Sequence, residues 1–166
     1  MTEKNYQGRA HKFGDDINTD YMLPARRMYT SLDMKDLAKY LMEDVDPDFM
    51  NRVKQGDLIV AGENFGCGSA REQAVRIIPL AGISVVLAKS YSRLFFRNAI
   101  NLGVIAIECN TDLIEDGDLL FVDLPNNKVI NKTQNREIEI IPLSGLPLEI
   151  INSGGLVNYF KAKAYI

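Results

Sequence analysis

Asp57-Leu58-Ile59-Val60-Ala61-Gly62-Glu63-Asn64-Phe65-Gly66-Cys67-Gly68-Ser69-Ala70-Arg71-Glu72-Gln73-Ala74 is the stretch whose reading decides the fold. It opens as a short apolar run of strand character, crosses a glycine-rich turn and continues into a helix-like run from Ala70 to Leu80. Gly66 and Gly68 let the backbone turn sharply and approach a ligand closely. A hydroxyl, Ser69, and a guanidinium, Arg71, follow at once. Strand, turn and helix N-terminus in this order make an anion site, because unpaired N–H groups point outward there. Ser69-Ala70-Arg71-Glu72 also fits the S-x-x-E capping box, so Ser69 reads as a helix cap as well. The two roles are compatible.

Working outward, the residues from 83 to 88 are almost continuously apolar, as in a strand covered on both faces. Ser90 is expected to open a helix running to about Asn101, with Gly103 closing it. Val104-Ile105-Ala106-Ile107 is the next strand, so residues 57–108 read β-α-β-α-β and predict a parallel sheet. Beyond Asn110 the character changes. Asp118 to Leu124 with Val129-Ile130 reads as a hairpin, Glu137 to Ile140 as a half-exposed strand, and 147–151 and 155–163 as short helices. On the N-terminal side, Arg9 to Phe13 is a first short strand. An acidic loop follows, Gly14 to Asp20, which lacks the bidentate Glu at the twelfth position of a calcium loop. Tyr21 to Ser31 is irregular, and Ser31-Leu32-Asp33 starts a helix to about Met42, closed by residues 46–49. The expected class is α/β: a mixed, largely parallel sheet with an antiparallel C-terminal appendage, in one domain over 1–166.

The chain has 166 residues, is 46% hydrophobic and 25% charged, and carries a formal charge of -3, which suits a globular protein without nucleic-acid partners. No apolar run is long enough for a membrane span. Met1 to Tyr6 lacks the apolar core of a signal peptide, so a cytoplasmic location is expected. Its two cysteines, Cys67 and Cys109, are expected as free thiols and are too few to ligate a four-iron cluster. The single histidine, His11, stands among polar residues near the start, which argues against a Ser-His-Asp hydrolase. If Ser69 does chemistry, something other than histidine activates it. Gly66-Cys67-Gly68 lacks the third glycine of a dinucleotide loop and the lysine of a P-loop.

Three motifs then come in a family's order: Asp16-Ile17-Asn18-Thr19-Asp20 with Pro24; Asn64 to Glu72; and Ser90-Tyr91-Ser92-Arg93-Leu94-Phe95-Phe96-Arg97-Asn98-Ala99-Ile100-Asn101-Leu102-Gly103. On these the chain resembles, from about Gly8 to Lys163, the small-subunit family of the 3-isopropylmalate dehydratases in the aconitase superfamily. The resemblance implies the swivelling β/β/α domain of aconitases, a separate large subunit carrying a [4Fe-4S] cluster, and no metal or cofactor bound by this chain itself. It implies dehydration and rehydration of a small hydroxy-dicarboxylate, here 2-isopropylmalate through 2-isopropylmaleate to 3-isopropylmalate, in leucine biosynthesis. Homoaconitate and a dimethylmalate-type substrate are the alternatives.

The resemblance also implies roles. Ser69 is the catalytic base, used as an alkoxide, which needs positive charge and N–H dipoles around it. Arg71 grips a substrate carboxylate, and Gly68 lets the backbone approach. Ala70 stands where the family commonly has a second serine, which removes one hydroxyl contact. The substrate-selecting segment aligns with Arg27-Met28-Tyr29-Thr30: an apolar segment suits an isopropyl group, and an arginine at its third position suits the extra carboxylate of homoaconitate. Met28 and Tyr29 could line an alkyl pocket, while Arg26 or Arg27 could reach a carboxylate. Asp16, Asn18, Thr19 and Asp20 are expected to support the loop before this segment. Without the resemblance, the same features also describe an anion-binding regulatory domain in which Ser69 only caps a helix.

Overall fold

A computed structural model describes residues 5–164. Met1 to Lys4, most of the stretch read for a leader, lie outside it. Seven strands form one sheet in the order β4-β3-β2-β1-β5-β6-β7: β1 Asn5–Lys12, β2 Leu58–Ala61, β3 Val85–Ala88, β4 Ile105–Glu108, β5 Leu119–Asp123, β6 Lys128–Asn131 and β7 Arg136–Glu139. β1 to β4 are parallel, while β5, β6 and β7 continue antiparallel from the other side of β1. The antiparallel C-terminal strands therefore extend the parallel sheet through β1. The sheet also curls. Cys109 and Ile140 form an antiparallel bridge, and Ile141 N donates to Glu108 O at 2.9 Å, so the ends of β4 and β7 meet.

Alternate residues of each strand point to opposite faces. Ile59, Ala61, Val86, Ala88 and Ala106 face the helical layer. Leu58, Val60, Val85, Leu87, Ile105 and Ile107 face inward against Leu120, Val122, Val129 and Ile138. Burial on both sides explains why these strands read as unbroken apolar runs.

The helical layer holds α4, Glu72–Leu80, and α5, Arg93–Leu102, with short helices α1 (Thr19–Met22), α2 (Met34–Ala38) and α3 (Phe49–Arg52) before them and α6 (Gly145–Asn152) and α7 (Leu156–Lys163) after. Several boundaries differ from expectation. α2 stops at Ala38, and the chain turns on through Met42 at φ 63°. α5 is capped by Ser92, whose Oγ accepts from Phe95 N, while Ser90 serves the loop after β2. α1 and α3 are single turns with no periodic signal long enough to read. β1 starts four residues before the expected strand; its Gly8 is needed because a Cβ there would lie 2.3 Å from Gly56 O.

Candidate functional site

Because β1 and β2 run parallel, the loops that leave them emerge at the same edge, where α/β sheets place their ligands. The two loops interlock. Gly62 N donates to Gly14 O (3.0 Å), Asp16 N to Glu63 O (2.9 Å), Gly66 N to Ile17 O (2.8 Å) and Thr19 N to Cys67 O (2.9 Å). Asn64, in the left-handed region at φ 56°, sends its side-chain amide to Asp16 Oδ1 at 2.7 Å and its backbone N–H to Ser90 Oγ at 2.8 Å. Buried Phe65 anchors the turn, edge-on to Phe95 at 5.1 Å and to Tyr91 at 6.0 Å. The Tyr91 hydroxyl sits within 3.1 Å of both Val86 O and Ile107 O, and burial pushes its pKa well up. Ser92 Oγ donates to Gly66 O at 2.7 Å.

From this base the chain rises to an exposed tip, Gly68-Ser69-Ala70. Gly68 has φ +97°, and a Cβ on it would lie 2.2 Å from Asn18 Oδ1. That oxygen is engaged: it accepts Asp20 N at 2.8 Å and caps α1. Thr19 Oγ1 donates to Ser69 O at 2.9 Å and lies 3.4 Å from Ser69 Oγ. Ser69 Oγ also reaches Asp20 Oδ1, at 3.5 Å. Among the described residues no acceptor takes the backbone N–H of Gly68, Ser69 or Ala70. The tip thus combines an exposed hydroxyl with free N–H dipoles, an arrangement that favours an anion.

Arg71 completes the cluster. Its Nη1 lies 2.8 Å from Asp20 Oδ1, yet among the described residues no N–H on that nitrogen is aimed at an acceptor. The charges are close and the bond angle is poor. A buried donor left in this state costs about 1–3 kcal/mol, which an acceptor placed in line would recover. The capping-box reading is corrected here. Arg71, not Ser69, is the N-cap of α4, without a side-chain cap bond. Ser69 O instead accepts Arg71 N at 2.7 Å, a tight turn that delays the helix until Glu72. Glu72 pairs with Arg76 one turn on. The Ser69 hydroxyl is therefore not consumed by the helix.

The segment Arg27-Met28-Tyr29 stands apart from these contacts. Arg27 Nε donates to Glu43 Oε2 at 2.9 Å, its other arm reaches Glu43 Oε1, and its guanidinium lies 4.1 Å from the Tyr40 ring centroid. Arg26 pairs with Asp44. Met28 packs against the helical core, and Tyr29 is 92% exposed. Reading the sequence missed Glu43-Asp44 as the counter-charges of Arg26-Arg27, although an acidic doublet behind a basic one was a visible signal. It also missed Asn64, Ser90 and Ser92, whose side chains hold the turn.

A groove of about 580 Å³ opens beside the loop, lined by Glu63, Lys89, Glu108, Cys109 and Asp112 among others; Ser69 lies outside it. Lys89 and Asp112 are paired across it at 2.7 Å. Among the described residues no three His, Cys, Asp or Glu side chains converge as metal ligands. The thiols do not suit a cluster either. Burial pushes Cys109 up to about 12, and burial with the nearby Asp16 charge raises Cys67; two cysteines are in any case too few to hold a four-iron cluster.

The family model described as Aconitase C-terminal domain matches residues 16–112. The chain is 50% identical over 154 residues to the 3-isopropylmalate dehydratase small subunit 2 of Archaeoglobus fulgidus, covering 93% of each. It is 49% identical to the methanogen homoaconitase small subunit of Methanocaldococcus jannaschii, covering 96% of this chain and 94% of that protein. A crystal structure of a 3-isopropylmalate dehydratase chain from Methanocaldococcus jannaschii superposes with a TM-score of 0.95 at 48% identity, covering 98% of this chain and 96% of that one.

Proposed function

Because this chain belongs to the aconitase C-terminal domain family, we propose that it is the small subunit of a 3-isopropylmalate dehydratase. As such it works in leucine biosynthesis, as half of a hydro-lyase that interconverts 2- and 3-isopropylmalate through 2-isopropylmaleate. The observation that carries this reading is the half-identity to a small subunit of that name along nearly the whole chain. The exposed Ser69 hydroxyl beside the Arg71 guanidinium agrees with it.

The chemistry asks for removal of a weakly acidic proton next to a carboxylate, and so for a strong base held against it. Ser69 Oγ is that base. Its negative form is stabilised by the free N–H groups of the tip and by the Arg71 charge, and Arg71 binds the substrate carboxylate. Thr19, donating to Ser69 O, holds the tip in place. The departing hydroxyl needs a Lewis acid, which this chain's thiols and carboxylates do not fit. We place it, as a [4Fe-4S] cluster, on a large partner subunit.

Isopropylmalate is favoured over homoaconitate by the ion pairs of Arg26 and Arg27. Both guanidiniums are already paired, with Asp44 and Glu43, which weakens their pull on a further carboxylate, while Met28 and Tyr29 offer apolar surface. The test is reconstitution with a cluster-loaded large subunit, assayed on 2-isopropylmalate, homoaconitate and dimethylmalate by absorbance of the unsaturated acid. Turnover of 2-isopropylmalate at the highest kcat/KM is expected. Preference for either other acid refutes the substrate, and activity of this chain alone refutes the division of labour.

A further inference from the structure

One oxygen touches both groups that the proposed reaction aims at a substrate. Asp20 Oδ1 lies 2.8 Å from Arg71 Nη1 and accepts from Ser69 Oγ at 3.5 Å. That is the place a substrate carboxylate takes if Arg71 grips it beside the Ser69 hydroxyl. The contact is not built like the chain's structural ion pairs. Arg26 and Arg27 each meet a carboxylate through two directed N–H bonds. Asp20 meets Arg71 through one close approach with no N–H aimed along it. The Asp20 carboxylate is half exposed, at 49%, and among the described residues it accepts no hydrogen bond except the long one from Ser69. Its backbone, in contrast, is fixed by Asn18 at the first turn of α1. The side chain can therefore rotate away without breaking any other bond.

We propose that Asp20 is an internal stand-in for the substrate carboxylate, covering Arg71 and the Ser69 hydroxyl until a substrate carboxylate displaces it. The inference rests on the reading of Arg71 as the carboxylate-binding group. One carboxylate replaces another, so the charge around Ser69 stays constant as the site fills. The guanidinium is never left without a counter-charge, and a small anion must compete with a tethered one to enter. The cost is affinity, because only the fraction of molecules with Asp20 turned away can bind.

The test uses the reconstituted two-subunit enzyme, with KM for 2-isopropylmalate and the inhibition constant of succinate, a plain dicarboxylate, as readouts. Removing a partly exposed ion pair of this kind lowers both constants in Asp20→Asn by about two- to five-fold at low salt, with the ratio to wild type shrinking towards one as salt screens the pair. Asp16→Asn controls for charge alone: it removes a carboxylate from the same loop, one bonded to Asn64 and not to Arg71, and lowers the constants less. In an Arg71→Gln background the Asp20→Asn effect disappears. Asp20→Ser, read in the same way, replaces Asp20→Asn if circular dichroism shows the amide variant unfolded. Constants that rise, stay level, or fall no further than in Asp16→Asn, while Arg71→Gln raises them, overturn the stand-in and leave the carboxylate-binding reading intact. If Arg71→Gln leaves both constants unchanged, the reading of Arg71 falls and the inference falls with it.

Discussion

Replacing Gly68 with alanine places a methyl carbon 2.2 Å from Asn18 Oδ1 and 2.7 Å from its Cγ, on a backbone at φ +97°. Two costs follow. A side chain in a left-handed conformation costs about 1–2 kcal/mol. Asn18 must also leave, which uncaps α1 and costs about 0.5–2 kcal/mol. Together they predict a loss of about 1.5–4 kcal/mol, or roughly 3–16 °C in Tm for a chain of this size. Function suffers more than stability, because Asn18 positions Thr19 and Asp20 against Ser69, and a misplacement of about 1 Å can cost on the order of 10²-fold in rate. Gly66→Ala is the contrast. There the new methyl meets Phe95 Cγ at 2.2 Å and Cβ at 2.3 Å, inside the core, so overpacking of about 1–3 kcal/mol adds to the backbone term. Thermal melts by circular dichroism and turnover of the reconstituted enzyme separate the two. Both variants lose stability, and Gly68→Ala loses rate even at temperatures where it is fully folded. A Gly68→Ala protein that melts with the wild type and turns over at the full rate would refute the claim that Asn18 excludes a side chain there.

Ser69→Ala removes an exposed hydroxyl that no helix uses. It should leave the melt within about 0.5 kcal/mol of wild type and lower kcat by about 10²-fold or more; full activity eliminates Ser69 as the base. Tyr29→Arg puts a cation at the third position of the selecting segment, on a side chain 92% exposed in the wild type, so no fold penalty is expected. The ratio of kcat/KM for homoaconitate to that for isopropylmalate should rise about tenfold, the effect of one added carboxylate contact of about 1.4 kcal/mol; an unchanged ratio separates the segment from selectivity. Burial alone would raise the Asp57 pKa, but hydrogen bonds from His11 and from the N–H groups of Lys54 and Arg9 hold it below the ordinary carboxylate value. A folded pKa below the unfolded one means stability that is present above about pH 4 and drains as pH falls through the folded value. Urea midpoints measured from pH 6 downward should drop less steeply in Asp57→Asn, and an identical slope would remove Asp57 from the acid limb.

The alternation of strand and helix from β2 to β4 was legible because it is written locally, in apolar runs too long for a half-exposed strand and in glycines at their ends. Closure of the sheet was not, since the bridge of Cys109 to Ile140 depends on how far the sheet coils and leaves no periodic mark. The full length of β1 was hidden for a related reason. Its first half, Asn5 to Arg9, pairs only with β5, and Gly8 interrupts its alternation so that the backbone can pass Gly56. Ser69 and Arg71 stood out because glycines flank them. Their distance from Asp20 could not be read, because it follows from two loops crossing at the end of parallel strands. The capping-box reading failed because the S-x-x-E spacing is satisfied by two different turns. Only the bond from Arg71 N to Ser69 O tells them apart, and that bond is what leaves the hydroxyl exposed.

That bond also bears on why the site is stiff where it is. Four backbone hydrogen bonds, from Gly62, Asp16, Gly66 and Thr19, lock the two loops together below the tip, and a buried aromatic cluster holds them from beneath. Above that level the Ser69 hydroxyl has only long contacts, at 3.4 and 3.5 Å, and the Arg71 guanidinium an unaligned one. A base must be placed to within a fraction of an ångström and yet keep its hydroxyl free. Fixing the backbone through hydrogen bonds of other residues, and leaving the reactive side chains under-bonded, meets both demands. The under-bonding of Ser69 and Arg71 thus follows from placing reactive groups at the top of a rigid braid.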